Sequence, residues 1–158
     1  IYLSFTSDVK VGVTRKSQVP TRWIDQGAIE AIEIAELPNR YLAGICEIEL
    51  KKYFKDKTNW RTMLTTNKSN IDLLSKKNEC YSILPEEAKN YFLSKSKTLK
   101  INYPIINGII TPKSLNIKKM KTFSGKLIGI KGQYLIFEDS TVFNVRSNEG
   151  LVVNIKID

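Results

Sequence analysis

Histidine is absent from this 158-residue chain. That removes Ser-His-Asp and Cys-His nucleophiles, histidine-dependent metal nucleases and most zinc sites. Any proton handling falls to Tyr, Lys or a carboxylate. Cysteine is scarce: Cys46 and Cys80 are too few for a disulfide framework. Cys46 lies in an apolar helical stretch and reads as a buried free thiol, in keeping with a reducing, cytoplasmic compartment. No apolar run approaches the roughly 20 residues of a membrane span, so no membrane partner is expected. No signal peptide is visible, and the start at Ile1 rather than Met reads as a fragment edge with a segment upstream.

Acidic charge is in deficit. Sixteen Asp and Glu face twenty-five Lys and Arg, for a net charge of +9. The excess is spread out, +4 over residues 1–97 and +5 over 98–158. A basic chain of this kind favours polyanionic partners, above all nucleic acid, either DNA or RNA and including ribosomal RNA. The competing explanation is a solubilising lysine surface. Hydrophobic residues at 42 % and charged residues at 26 % rule against disorder throughout and favour a folded core.

The pattern predicts an α+β chain in three parts: 1–66, a helical stretch 67–98, and a small antiparallel β-sheet or open barrel over 99–158. Ile1, Leu3 and Phe5, then Val9, Val11 and Val13, alternate with polar residues as a hairpin does. One hairpin face is thus apolar, and the other carries Tyr2, Ser4, Lys10 and Thr14. Pro20 and Gly27 bracket a short helix, residues 29–37 read as a third strand, and Pro38 opens a long helix to about Phe54. Its apolar stripe is Leu42, Ile45, Cys46, Leu50 and Tyr53. Helices are expected over 58–64, 71–77 and 85–97, an extended Pro-bearing stretch over 99–121, and strands over 123–130, 133–137, 141–146 and 151–157.

The order ββαβα in the first third resembles the scaffold of the GIY-YIG nuclease superfamily. Ile1-Tyr2 resembles the end of the first signature triplet, and Lys10-Val11-Gly12 the second, with Lys in place of the usual Tyr. Arg22 falls in the first helix and Glu47 in the long helix, where that superfamily carries an Arg and a metal-binding Glu. A longer likeness runs over nearly the whole chain, to a prokaryotic family of unassigned function. It rests on Lys10-Val11-Gly12-Val13-Thr14-Arg15, Thr21-Arg22-Trp23-Ile24-Asp25-Gln26-Gly27-Ala28 and Asn39-Arg40-Tyr41-Leu42-Ala43-Gly44. Lys57-Thr58-Asn59-Trp60-Arg61 and Gly129-Ile130-Lys131-Gly132-Gln133-Tyr134 belong to it too. Members of that family typically bear a Cys-rich segment ahead of this region; this sequence holds none of it.

The superfamily likeness implies Mg²⁺-assisted phosphodiester hydrolysis, with Tyr2 helping to deprotonate water, Arg22 holding phosphate and Glu47 ligating the metal. Lys10 would stabilise the anionic transition state or orient the water. Each residue also has a plainer explanation. Tyr2 can simply cover the sheet, Lys10 can be a solvated strand lysine, Arg22 can pair with Asp25, and Glu47 can pair with Lys51 at i,i+4. Arg15, Lys16, Arg40 and Arg61 are further phosphate-contact candidates, and Lys113, Lys118, Lys119 and Lys121 form the plainest backbone-contact run. Trp23 and Trp60 can stack on unpaired bases or lie in the core. Two functions compete on these residues: a Mg²⁺-dependent endonuclease, and a non-catalytic RNA-binding or ribosome-associated protein that kept the fold. A protein-protein adaptor has no residue-level support.

Overall fold

Apolar alternation over the first twelve residues produces two strands, β1 (Tyr2–Phe5) and β2 (Val9–Gly12), paired antiparallel with Tyr2 opposite Gly12 and Ser4 opposite Lys10. The computed structural model describes residues 1–106, 108 and 111–157. After β2 come α1 (Thr21–Asp25), β3 (Glu30–Glu33) and α2 (Arg40–Leu50), so the expected ββαβα order is present. β3 lies antiparallel on the other side of β1, with Tyr2 opposite Glu33. The helices α3 (Trp60–Thr65), α4 (Leu73–Ile83) and α5 (Glu86–Lys89) follow. The short strand β4 (Leu99–Lys100) then closes the first sheet, whose order is β2-β1-β3-β4.

The apolar side chains of this sheet, Leu3, Val11 and Ile32, pack with Leu42, Cys46 and Leu50 of α2 and with Leu73 and Cys80 of α4. Asn39 caps α2 by accepting from the Leu42 backbone N–H at 2.9 Å. The opposite face is also covered. Tyr2, Ser4 and Lys10, expected on an open polar face, are buried, and Trp23 of α1 packs over Tyr2 at 5.8 Å between ring centres. Alternation gives the two faces of a strand but not whether a helix lies over each of them.

The second sheet combines β5 (Lys113–Ser114), β6 (Leu127–Lys131), β7 (Tyr134–Phe137) and β8 (Thr141–Asn144) in the order β5-β8-β7-β6. It is mixed rather than antiparallel, because β5 pairs parallel to β8. A helical turn, α6 (Ile117–Met120), interrupts the stretch expected to be extended; residues 107, 109 and 110 of that stretch lie outside the described residues. No strand forms over 151–157, where Val152, Ile155 and Ile157 are exposed. Strand propensity alone does not make a strand without a neighbour to pair with.

Helix ends moved for local reasons. Beyond Leu50 the chain tightens into a turn, with the Tyr53 and Phe54 N–H groups both donating to the Leu50 carbonyl. Phe54 therefore packs on the core, and Tyr53 from the expected stripe is exposed. α4 runs on to Ile83, well past the expected end at 77. α5 stops at Lys89 because the following backbone pairs with the extension of β3: Leu93 N–H donates to the Ile34 carbonyl and Glu36 N–H to the Tyr91 carbonyl. No helix among the described residues is long and apolar enough to cross a membrane.

Candidate functional site

A cleft of about 830 Å³ opens between the start of β1, the loop after β2, the end of β3 and α2. Its lining brings together Tyr2, Arg15, Lys16, Arg40 and Glu47, all anticipated from sequence, with Glu33 and Glu36, which were not. Glu33 was legible in principle, since Ala31 and Glu33 alternate with Ile32 and Ile34 along β3 and the residue after it. Its place directly opposite Tyr2 depends on the register. Arg15 and Arg40 are exposed and have no carboxylate within ion-pair distance among the described residues. Lys16 is paired with Glu36. The small residues Ala43 and Gly44 of α2, one turn before Glu47, line the same wall and leave it open.

Tyr2 is 2 % exposed, and its hydroxyl donates to Gln26 Oε1 at 3.2 Å. Its ring lies across Gly12, where an added Cβ would come within 2.6 Å of the phenol oxygen. Burial pushes the Tyr2 phenol above its ordinary value; Gln26 and the adjacent Arg22 pull the other way, while the Glu47 carboxylate adds to the rise. Burial thus disfavours the phenolate, and in this structure the hydroxyl serves as a hydrogen-bond donor to Gln26. Arg22 does not pair with Asp25: among the described residues it has no carboxylate partner.

Lys10 lies behind this wall rather than on it. It is 7 % exposed, and its ammonium donates to Thr58 Oγ1 at 3.3 Å. Burial lowers its pKa, Arg22 lowers it further, and Asp56 opposes them. It is therefore not a solvated strand lysine. Nearby, Ser4 Oγ and Trp23 Nε1 are buried without hydrogen-bond partners among the described residues. Two cations and two unpartnered donors thus lie on or over the face of the first sheet that α1 covers, with no carboxylate within ion-pair distance of either cation among the described residues.

Glu47 pairs with Lys51 at 3.4 Å, the i,i+4 pair expected, and its side chain stays partly exposed to the cleft. No group of three His, Cys, Asp or Glu able to hold a metal occurs among the described residues. The donor set fits a one-carboxylate Mg²⁺ position completed by water and phosphate oxygens, not a protein cage.

The remaining candidates lie elsewhere. Arg61 sits in a second groove with Thr58 and Trp60. Lys113 is on β5, Lys118 and Lys119 are on α6, and Lys121 follows it; none of these four lines the cleft. Trp23, 4 % exposed, is a core residue. Trp60 has the Tyr134 ring stacked on it at 5.6 Å and Arg61 at 4.3 Å.

A family model described as "Protein of unknown function (DUF2797)" matches residues 1–153. The chain belongs to that family. No curated protein and no solved structure matches it.

Proposed function

We propose that this member of the DUF2797 family binds nucleic acid in the cleft between β1 and α2, on a GIY-YIG-like scaffold. The observation that carries the reading is uncompensated positive charge. Arg15 and Arg40 line the cleft, while Lys10 and Arg22 do not line it and lie behind its Tyr2 wall; none of the four has a carboxylate within ion-pair distance among the described residues. A cation as buried as Lys10 is costly without a counter-charge. A phosphodiester supplies that charge from outside the chain, and nucleic acid supplies it in series.

In this reading Arg22 holds a phosphate by its planar fork and Lys10 adds a point charge behind it. Tyr2 donates a hydrogen bond to a phosphoryl oxygen in place of Gln26. Arg15, Lys16 and Arg40 follow the neighbouring phosphates at the rim. Glu47 is the residue that would hold Mg²⁺, which relieves charge on the phosphoryl oxygens when bound. Together these would hold a phosphodiester and relieve its charge for attack by water, the arrangement a phosphodiesterase needs. The second reading, a non-cleaving RNA-binding or ribosome-associated protein, draws on two observations: Glu47 is already paired with Lys51, and burial raises the pKa of the Tyr2 phenol, which makes it harder to deprotonate.

One assay tests both. Labelled duplex DNA and structured RNA are incubated with the protein, with and without Mg²⁺, alongside Glu47→Ala. Nicking that needs Mg²⁺ and is lost in Glu47→Ala, while binding persists, is the expected result. Full-rate nicking by the variant removes Glu47 from the site. Tight, salt-sensitive binding with no cleavage selects the second reading.

A further inference from the structure

At the turn end of the β1–β2 hairpin, away from the cleft, lies a groove of about 590 Å³, lined by Ser7 and Asp8 of that turn and by Lys55 and residues 57–62. Thr58 lines the groove and also accepts the hydrogen bond from Lys10, and Val11 N–H of β2 donates to the Lys55 carbonyl. Trp60, on the groove, makes two ring contacts: the Tyr134 ring lies nearly parallel to it, 11° apart at 5.6 Å, and the Arg61 guanidinium covers it at 4.3 Å. Trp60 has a neighbour over its ring on each count, while Arg61 is exposed. The groove's other cations are unequal. Lys55 is paired with Asp8, whereas Lys57 is exposed with no carboxylate partner among the described residues.

We propose that Arg61, held over the Trp60 ring, is a stacking platform for one unpaired nucleobase. The phosphate beside that base would follow Lys57 toward Lys10. This rests on the nucleic-acid reading of the cleft and deepens it by naming the substrate class, a strand with an unpaired nucleotide next to the bound phosphate. A guanidinium is planar and weakly hydrated, and a π-face beneath it orders it flat, so it offers a second flat face to a base. A base inside a duplex already has both faces stacked. Only a single strand, loop, bulge or frayed end can present a free face. Stacking of this kind tolerates any base, so the platform selects strandedness and not sequence.

The test uses the full chain, a short mixed-sequence single-stranded oligonucleotide, and an abasic chain of equal length that keeps every phosphate. Wild type is expected to bind the base-bearing strand about tenfold more tightly than the abasic one, the size of one base stack. Arg61→Lys keeps the charge and loses the plane; it should hold the abasic strand as wild type does and lose the preference for bases. Arg61→Ala should lose the preference and weaken both strands. Equal wild-type affinity for the two strands overturns the platform, as does a full base preference in Arg61→Lys. Failure of wild type to bind either strand is a different result, and it removes the nucleic-acid reading itself.

Discussion

Tyr2 occupies space that exists only because Gly12 has no side chain. The two residues face each other across β1 and β2, and a methyl group at position 12 would meet the phenol at 2.6 Å. The backbone at Gly12 is ordinary strand, so the requirement is close approach and not φ. Gly12→Ala must therefore displace Tyr2 from Gln26, at an overpacking cost of about 1–3 kcal/mol. Chemical denaturation checks this, and wild-type stability in the variant would count against the contact. Lys131 gives a second residue-scale prediction. It is 1 % exposed, its ammonium donates to the Thr66 carbonyl, and burial lowers its pKa from 10.5 to about 8. Between those pH values the unfolded chain holds the proton that the folded chain has lost, so stability rises with pH there, at most about 1.4 kcal/mol per unit. Below about pH 8 both states are charged and the burial cost is fully present. Cys80, whose thiol burial pushes up to about 12, acts in the opposite direction above pH 9. Comparison with Lys131→Met isolates the lysine, because both proteins share Cys80. Wild type should gain on the variant from pH 8 to 10.5; a flat difference contradicts the assignment.

At the scale of elements, the platform depends on a six-residue helix that the sequence announces. Asn59 caps α3, its side-chain oxygen accepting from the Arg61 and Thr62 backbone N–H groups at 3.0 and 3.3 Å. Asn59→Ala should cost about 1 kcal/mol by thermal or chemical denaturation, and an unchanged midpoint would show that the cap contributes nothing. The elements that short-range pattern could find include β1, β2, α1, β3 and α2, where the strands alternate, Pro20 and Gly27 flank α1, and α2 carries Leu42, Cys46 and Leu50 on one side; α3, β6, β7 and β8 also fall on the stretches expected at 58–64, 123–130, 133–137 and 141–146. Elements set by distant partners were not legible. β5 is only Lys113 and Ser114, two exposed residues made into a strand by β8, and 151–157 has strand composition without a strand partner among the described residues. The same limit hid the burial of Lys10, whose cover comes from elements far along the chain, Thr58 among them. Tyr2 and Glu47 lie on the cleft as anticipated, while Glu33 depended on pairing across the sheet.

At the scale of the molecule, the second sheet props the helix that carries Arg22. Gly132, in the β6–β7 turn at φ +58°, sits so close to the end of α1 that a Cβ would meet the Asp25 carbonyl oxygen at 2.9 Å. Only glycine combines that backbone with that approach. Gly132→Ala should lower stability by about 1–3 kcal/mol. It should also weaken nucleic-acid affinity, although position 132 is outside the cleft. Loss of stability with unchanged affinity would separate the second sheet from the site. Charge acts at this scale as well, since a net +9 leaves any nucleic-acid complex sensitive to salt. The most direct measurement of the central claim is the salt dependence of affinity for structured RNA and duplex DNA, wild type against Arg22→Ala. If a phosphate sits between Arg22 and Lys10, the slope of log affinity against log salt falls by about one in the variant. An identical slope and affinity in the two proteins would contradict it.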